Sequence, residues 1–149
     1  MTGVAHKLEK WLPHRDPLIL LDDLVKFGDN EAISKVCINE KTLFLENGKV
    51  PAWIGIEYMA QTIALYSGNI SYNNSEPVTL GFLLGARKYK SWRESFMLGE
   101  TLEVVVTPQL IDGAINNFKC SIFIESELVA SAALTAYKPT QEMIEDLKA

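Results

Sequence analysis

Glu57 and Gln61 are the residues best placed for chemistry in this chain. They lie in the run Gly55-Ile56-Glu57-Tyr58-Met59-Ala60-Gln61-Thr62, inside an otherwise apolar, helix-like stretch from Trp53 to Gly68. A carboxylate in such a stretch is expected to be desolvated, which is costly unless the group is hydrogen-bonded or used. Desolvation favours the protonated form of a carboxyl group, the form that acts as an acid. Gln61 follows at i+4 on the same helical face, where its amide can orient the carboxyl. The structural alternative is a glutamate bonded to backbone groups.

Composition narrows the classes of function. The chain has 149 residues, 48% of them hydrophobic, which suits one globular domain with a real core. Fourteen basic residues against nineteen acidic ones give a net charge of −5, a poor match to general nucleic-acid binding. The two cysteines, Cys37 and Cys120, lack metal or redox spacing and read as reduced thiols in strands or core. The two histidines, His6 and His14, form no close cluster with cysteine, so no metal site is expected. Met1 to Lys10 is too polar for a signal peptide, and no apolar run approaches the roughly 20 residues of a membrane span. A cytoplasmic protein is the expectation. Gly81 and Gly85 are isolated in a strand-like run and suggest bulges or close packing, not a phosphate cradle.

The elements that must position Glu57 follow from periodicity. Leu8 to Leu12 is a short helix or turn ended by Pro13. Leu18 to Val25 and Ala32 to Ile38 read as strands, and Leu43 to Val50 as a loop. Pro51 suits the first helical position, and Gly68 suits the stop. This helix is apolar nearly all round, as a mostly buried helix would be. Asn69 to Pro77 is turn-rich. Thr79–Lys90, Thr101–Ile111, Ala114–Ser126 and Leu128–Lys138 are β-rich, with a turn at Met97–Glu100 and a hairpin signal at Asp112-Gly113. Gln141 to Ala149 could be a short helix. The expected class is α+β: one domain over residues 1–149, with a long central helix wrapped by an antiparallel sheet of five or six strands.

The segment Leu12-Pro13-His14-Arg15-Asp16-Pro17-Leu18-Ile19-Leu20-Leu21-Asp22 resembles the corresponding segment of FabZ-type 3-hydroxyacyl-ACP dehydratases. Pro51 followed by Ile56-Glu57-Tyr58-Met59-Ala60-Gln61 resembles their central helix, and Gly81–Lys90 with Leu98-Gly99-Glu100 their next strand and turn. The string from Pro51 to Ala64 is most similar to the ApeP-like dehydratases of aryl polyene biosynthesis. The resemblance implies a hotdog fold and a dimer with active sites at its interface. The substrate would be a thioester on the phosphopantetheine of acyl carrier protein, lying beside the helix, with no further cofactor. The reaction would remove water from a 3-hydroxyacyl group to give a trans-2-enoyl group. One departure stands out. The family carries a catalytic histidine fourteen residues before the helix carboxylate, and here that position is Leu43.

Such a dehydration needs a base for the C2 proton, an acid for the C3 hydroxyl and donors for the thioester oxygen. Glu57 is the expected acid. His14, held near Pro13 and Pro17, is the candidate base in place of the missing histidine, or else a structural residue supporting the dimer. Arg15, Asp16 and Asp22 could orient it or form an interface ion pair. Backbone N–H groups at Ala52 and Trp53, at the helix start, are the candidate oxyanion donors. Trp53, Tyr58 and Gln61 are expected at the substrate site, with plain core as the alternative for the aromatic pair. Arg87, Lys88, Lys90 and Arg93 form a basic patch that could dock the acidic carrier protein, or a solvated strand face. His6 reads as exposed. Loss of the histidine at Leu43 leaves two other readings open: a non-catalytic subunit pairing with an active hotdog dehydratase, as a heterodimer in place of a homodimer, or an acyl thioesterase.

Overall fold

Side chains on a strand alternate between faces, so an alternating sequence buries one face of a sheet and leaves the other to solvent. The computed structural model describes residues 7–15, 17–78, 82–139 and 141–148. The readings made of His6, Asp16, Gly81 and the end of the last helix at Ala149 lie outside them. In chain order the elements are β1 (Asp23–Gly28), β2 (Glu31–Cys37), β3 (Lys49–Pro51), a 3₁₀ turn (Ala52–Ile54), α1 (Gly55–Asn73), β4 (Phe82–Ser91), β5 (Ser95–Met97), β6 (Thr101–Asp112), β7 (Ile115–Ile124), β8 (Glu127–Tyr137) and α2 (Gln141–Lys148).

Six strands form one sheet in the order β1-β2-β6-β7-β8-β4, and β3 pairs with β5 in a separate two-stranded sheet. Every pairing is antiparallel. Alternation is clean in β2 and β7: Ala32, Ser34 and Val36 point inward, as do Phe118, Cys120 and Ile122. That inner face receives α1, which packs chiefly on β2 and β6. Asp112-Gly113 turns the β6–β7 hairpin as expected, with Gly113 at φ +60. The next hairpin turns on Glu125 and Ser126, both left-handed at φ +49 and +67, the backbone a two-residue hairpin requires. Gly85 sits where the β4–β8 register slips, the bulge its isolation suggested.

Three boundaries differ from the sequence expectation. Leu18 to Asp22 is an extended arm before the sheet, and β1 begins only at Asp23. The short β3–β5 ladder occupies residues read as loop and turn, because three-residue strands are too short to show a period. The helix does not stop at Gly68 but continues to Asn73. Gly68 is glycine for another reason: a Cβ there would collide with the backbone carbonyl of Trp11. The N-terminal turn thus lies directly on α1, with Leu8 and Leu12 both buried.

Candidate active site

The N-terminal arm is fixed to α1 by Gln61. This residue is only 2% exposed. Its Oε1 accepts the Leu20 N–H at 2.9 Å, and its Nε2 donates to the Leu18 carbonyl at 2.8 Å. A buried amide matched on both sides is a strong positional clamp. Its contact with Glu57 Oε1 is 3.5 Å, at the edge of hydrogen-bonding range. Gln61 therefore holds the arm first and touches the carboxylate second, where the sequence suggested the reverse emphasis. Asp22 fixes the far end of the arm, its Oδ2 accepting the Cys37 N–H at 2.7 Å.

Glu57 corrects the sequence expectation of a desolvated carboxylate. It is exposed, because α1 turns Tyr58, Met59, Thr62 and Leu65 onto the sheet and leaves Glu57 on the outer side, with Trp53 exposed in the 3₁₀ turn before it. Trp53 is 66% exposed and is not core. His14 lies close enough to Glu57 for the carboxylate's charge to act on its ring. Burial lowers the His14 pKa below 6.5 and outweighs the raising effect of Glu57, so the ring favours its neutral form. Its Nδ1 is buried without a hydrogen-bond partner among the described residues. Arg15 does not pair with Glu57. Its Nε meets Glu9 Oε1 at 2.8 Å, and its Nη1 donates to the carbonyls of Leu12 and His14 at 2.7 and 2.8 Å, fixing the turn that carries the imidazole.

The expected oxyanion donors do not survive as a pair. The Ala52 N–H already donates to the Glu94 carbonyl at 2.9 Å, and the Ala52 carbonyl accepts the Tyr89 hydroxyl. The helix start is stitched to the β4–β5 connection, and Trp53 is the remaining candidate of the two. The basic patch also divides. Arg87, Lys88 and Lys90 are exposed on the edge strand β4, with Lys90 over the Trp92 ring at 5.0 Å. Arg93 is engaged elsewhere, its Nη2 2.8 Å from Glu100 Oε1. Cys120 is the inert core thiol expected, buried and pushed up to about 12, while Cys37 is half-buried. Among the described residues no group of three or more His, Cys, Asp or Glu could hold a metal ion, and no helix is long and apolar enough to cross a membrane.

Tyr58 is the aromatic residue whose role the sequence left divided. It is fully buried, and its ring lies 6.1 Å from that of Phe96, tilted by 35°. Its hydroxyl, however, has no partner among the described residues. An orphaned buried hydroxyl costs about 1–3 kcal/mol. It borders a cavity of about 400 Å³ shared with Asp22, Thr42 and Leu43. Sequence reasoning treated Asp22 only as a neighbour of His14. The signal that could have found it was akin to the one used for Glu57, acids in an apolar run, here Asp22 and Asp23 within Leu18 to Val25.

Comparison with known proteins bears on this arrangement. Residues 6–148 match the ApeP-like family, described as ApeP dehydratase. The 3-hydroxyacyl-acyl-carrier-protein dehydratase FabZ of Agrobacterium fabrum is 31% identical over 142 residues, covering 90% of each chain. The bifunctional LpxC/FabZ enzyme of Chlorobaculum tepidum is 30% identical over 135 residues, and this chain spans 28% of its length. The dehydratase heterocomplex ApeI:P of Xenorhabdus doucetiae matches at a TM-score of 0.86 and 26% identity, covering 94% of this chain and 95% of that one. The helix laid on one antiparallel sheet is accordingly the hotdog fold, α+β as expected. With the family matched across nearly its whole length, the chain belongs to the ApeP-like dehydratases, within the FabZ-like 3-hydroxyacyl-ACP dehydratase family.

Proposed function

We propose that this chain dehydrates a 3-hydroxyacyl thioester on acyl carrier protein to the trans-2-enoyl thioester, in aryl polyene or related fatty-acid-like synthesis. The observation that carries this reading is that His14 and Glu57 of one chain lie near enough for the charge of Glu57 to act on the imidazole. A half-buried imidazole with an unpartnered Nδ1 lies within electrostatic reach of an exposed carboxylate. In the reaction His14 removes the C2 proton. The C2–H electron pair becomes the C2=C3 bond, the C3–O bond breaks, and Glu57, protonated once substrate or a partner subunit covers it, gives its proton to the departing hydroxyl, which leaves as water. The Trp53 N–H is the candidate donor to the thioester oxygen. Gln61 positions His14 through the arm it clamps. The thioester arrives on phosphopantetheine, so no other cofactor is needed. Arg87, Lys88 and Lys90 offer charge to an acidic carrier protein, and a second hotdog subunit, identical or not, completes the dimer.

A second reading rests on Leu43 and on the exposure of Glu57: the chain is a non-catalytic subunit that supports an active hotdog partner. The similarity to one chain of a dehydratase heterocomplex favours keeping it. Purified protein given 3-hydroxyacyl-ACP, alone and with candidate partner subunits, separates the two. Enoyl product from the chain alone, lost in His14→Gln and Glu57→Gln, is the expected result. Product only in the mixture, undiminished by either substitution, would sink the catalytic assignment. Release of free acid would indicate a thioesterase instead.

A further inference from the structure

The basic residues of β4 are aligned by a break in that strand. Arg87 stands opposite Ala133 of β8 and Lys90 opposite Ser131, so three steps along β4 answer two along β8. The bulge contains Lys88 at φ +55, a left-handed backbone that a lysine seldom adopts. Residues three apart on a regular strand point to opposite faces. Ala133 and Ser131 share the outer face of the sheet, since Ala130 and Ala132 are buried on the inner one. The bulge therefore brings Arg87 and Lys90 to the same outer face. Tyr89 still points inward, its hydroxyl donating to the Ala52 carbonyl. The rows continue across the sheet, where Ala133 faces Lys119 of β7 and Ser131 faces Ser121. Two strand spacings, roughly 10 Å, separate Arg87 from Lys119. A hollow of about 600 Å³ lies there, lined by Arg87, Lys119, Gln109, Asn117, Ala133 and Thr135. Its floor hydroxyl is matched within the sheet, Thr135 Oγ1 donating to Asn117 Oδ1 at 2.7 Å. Among the described residues none of the three cations joins an ion pair, in a chain of net charge −5.

Shape and charge select an occupant for this trough. Its width, with small residues on the floor, is that of an α-helix with its side chains. Cations on both rims suit a helix that carries acidic residues along its flanks. An extended peptide would pair with the edge of β4 and not with the face. The net negative charge of the chain disfavours nucleic acid. We propose that an acidic helix of acyl carrier protein lies along the trough, between Arg87 and Lys90 on one rim and Lys119 on the other. The identity of the partner rests on the dehydratase reading, whereas the fit to an acidic helix rests on the trough. The Lys90 end adjoins the β4–β5 connection, whose Glu94 carbonyl accepts the Ala52 N–H at 2.9 Å. A carrier docked there sits beside the helix start, where the thioester is used. Trp92, 51% exposed with Lys90 over its ring, offers an apolar contact at the same end.

The test is binding of the full chain to a bacterial acyl carrier protein lacking its phosphopantetheine arm, so that no contact in the active site contributes. It is titrated calorimetrically at low salt. Arg87→Glu and Lys119→Glu should each weaken binding by about tenfold or more, since a like charge then faces the acidic helix. Ala133→Leu leaves the charge alone but raises the floor, and should weaken binding as well. Lys41→Glu, an exposed position on the loop after β2, should leave it unchanged. No binding by the wild type, an equal loss in Lys41→Glu, or full binding by Ala133→Leu would overturn the proposal. Enoyl formation from the N-acetylcysteamine thioester of 3-hydroxyoctanoate, which needs no carrier, is followed separately. Carrier binding through the trough without that turnover leaves the trough standing and removes the dehydratase reading. Turnover with carrier binding indifferent to the trough variants does the reverse.

Discussion

Where the N-terminal arm and the sheet cover α1, Gln61, Thr62 and Leu65 are closed off, while on the open side at the helix start Trp53 and Glu57 face outward. The closed side matches most of its polar groups, the Tyr58 hydroxyl excepted. Gln61 bonds the arm on both ends of its amide, and the Thr62 hydroxyl meets Ser34 Oγ at 2.6 Å and the Tyr58 carbonyl at 2.8 Å. On the open side, among the described residues, Glu57 has a single hydrogen-bond contact, the 3.5 Å one from Gln61. Stability is concentrated on the first side and the candidate chemistry on the second. Substitutions on the two sides should therefore fail in different assays.

The largest effect is expected from Glu57→Gln. Loss of a positioned general acid typically removes about 10²–10⁴ in rate, while an exposed substitution should leave unfolding stability within about 0.5 kcal/mol. Enoyl formation and urea unfolding measured on one preparation check both halves. A variant with full rate would break the division. Gly68→Ala should do the opposite. Helix propensity alone favours alanine by about 1 kcal/mol, yet the Trp11 carbonyl leaves no room, and a loss of about 3 kcal/mol is expected from overpacking. A gain in stability would mean that the N-terminal turn does not rest on the helix there.

Gln61→Leu should cross the division. It strands the Leu18 carbonyl and the Leu20 N–H, at a cost of about 2 kcal/mol. It also loosens the arm that follows the turn carrying His14, so rate and stability should fall together; a stability loss with an unchanged rate would separate the arm from catalysis. The smallest effect concerns His14 itself. Its folded pKa is held below 6.5, so the unfolded chain takes up the proton at higher pH. The stability due to the neutral ring is whole above pH 6.5 and erodes as pH falls from there through the folded value. The chain has two histidines, so NMR titration can follow His14 directly. Glu57→Gln removes the charge that raises its pKa and should move the midpoint lower still. An unchanged midpoint would separate the pair.

Most of the sheet was legible because alternation survives in long strands such as β2 and β7. The helix was legible as a helix, but its orientation was not. A segment apolar nearly all round does not declare which side its own sheet will cover, and so Glu57 read as buried. Gly68 misled for a related reason, since a glycine near a helix end looks like a stop whether it ends the helix or admits a neighbour's backbone. The clamp by Gln61 was half visible. Its spacing from Glu57 is local, but its partners Leu18 and Leu20 lie more than forty positions away, 41 for Leu20 and 43 for Leu18. Tyr58 and Asp22 line one cavity only through the fold, so no spacing rule could join them.

The exposure of Trp53 has an optical consequence. An indole in water emits at longer wavelength than one in an apolar setting, and its ring is large enough to feel any group laid across it. Trp53 is 66% exposed and precedes Glu57 by one helical turn. Trp11 is partly buried in the N-terminal turn, and Trp92 is less exposed than Trp53, at 51%, with Lys90 over its ring. A partner subunit or an acyl chain that covers the outer side of α1 would therefore shift the emission of Trp53 to shorter wavelength. The helix carries its own indicator of whether its open side is occupied.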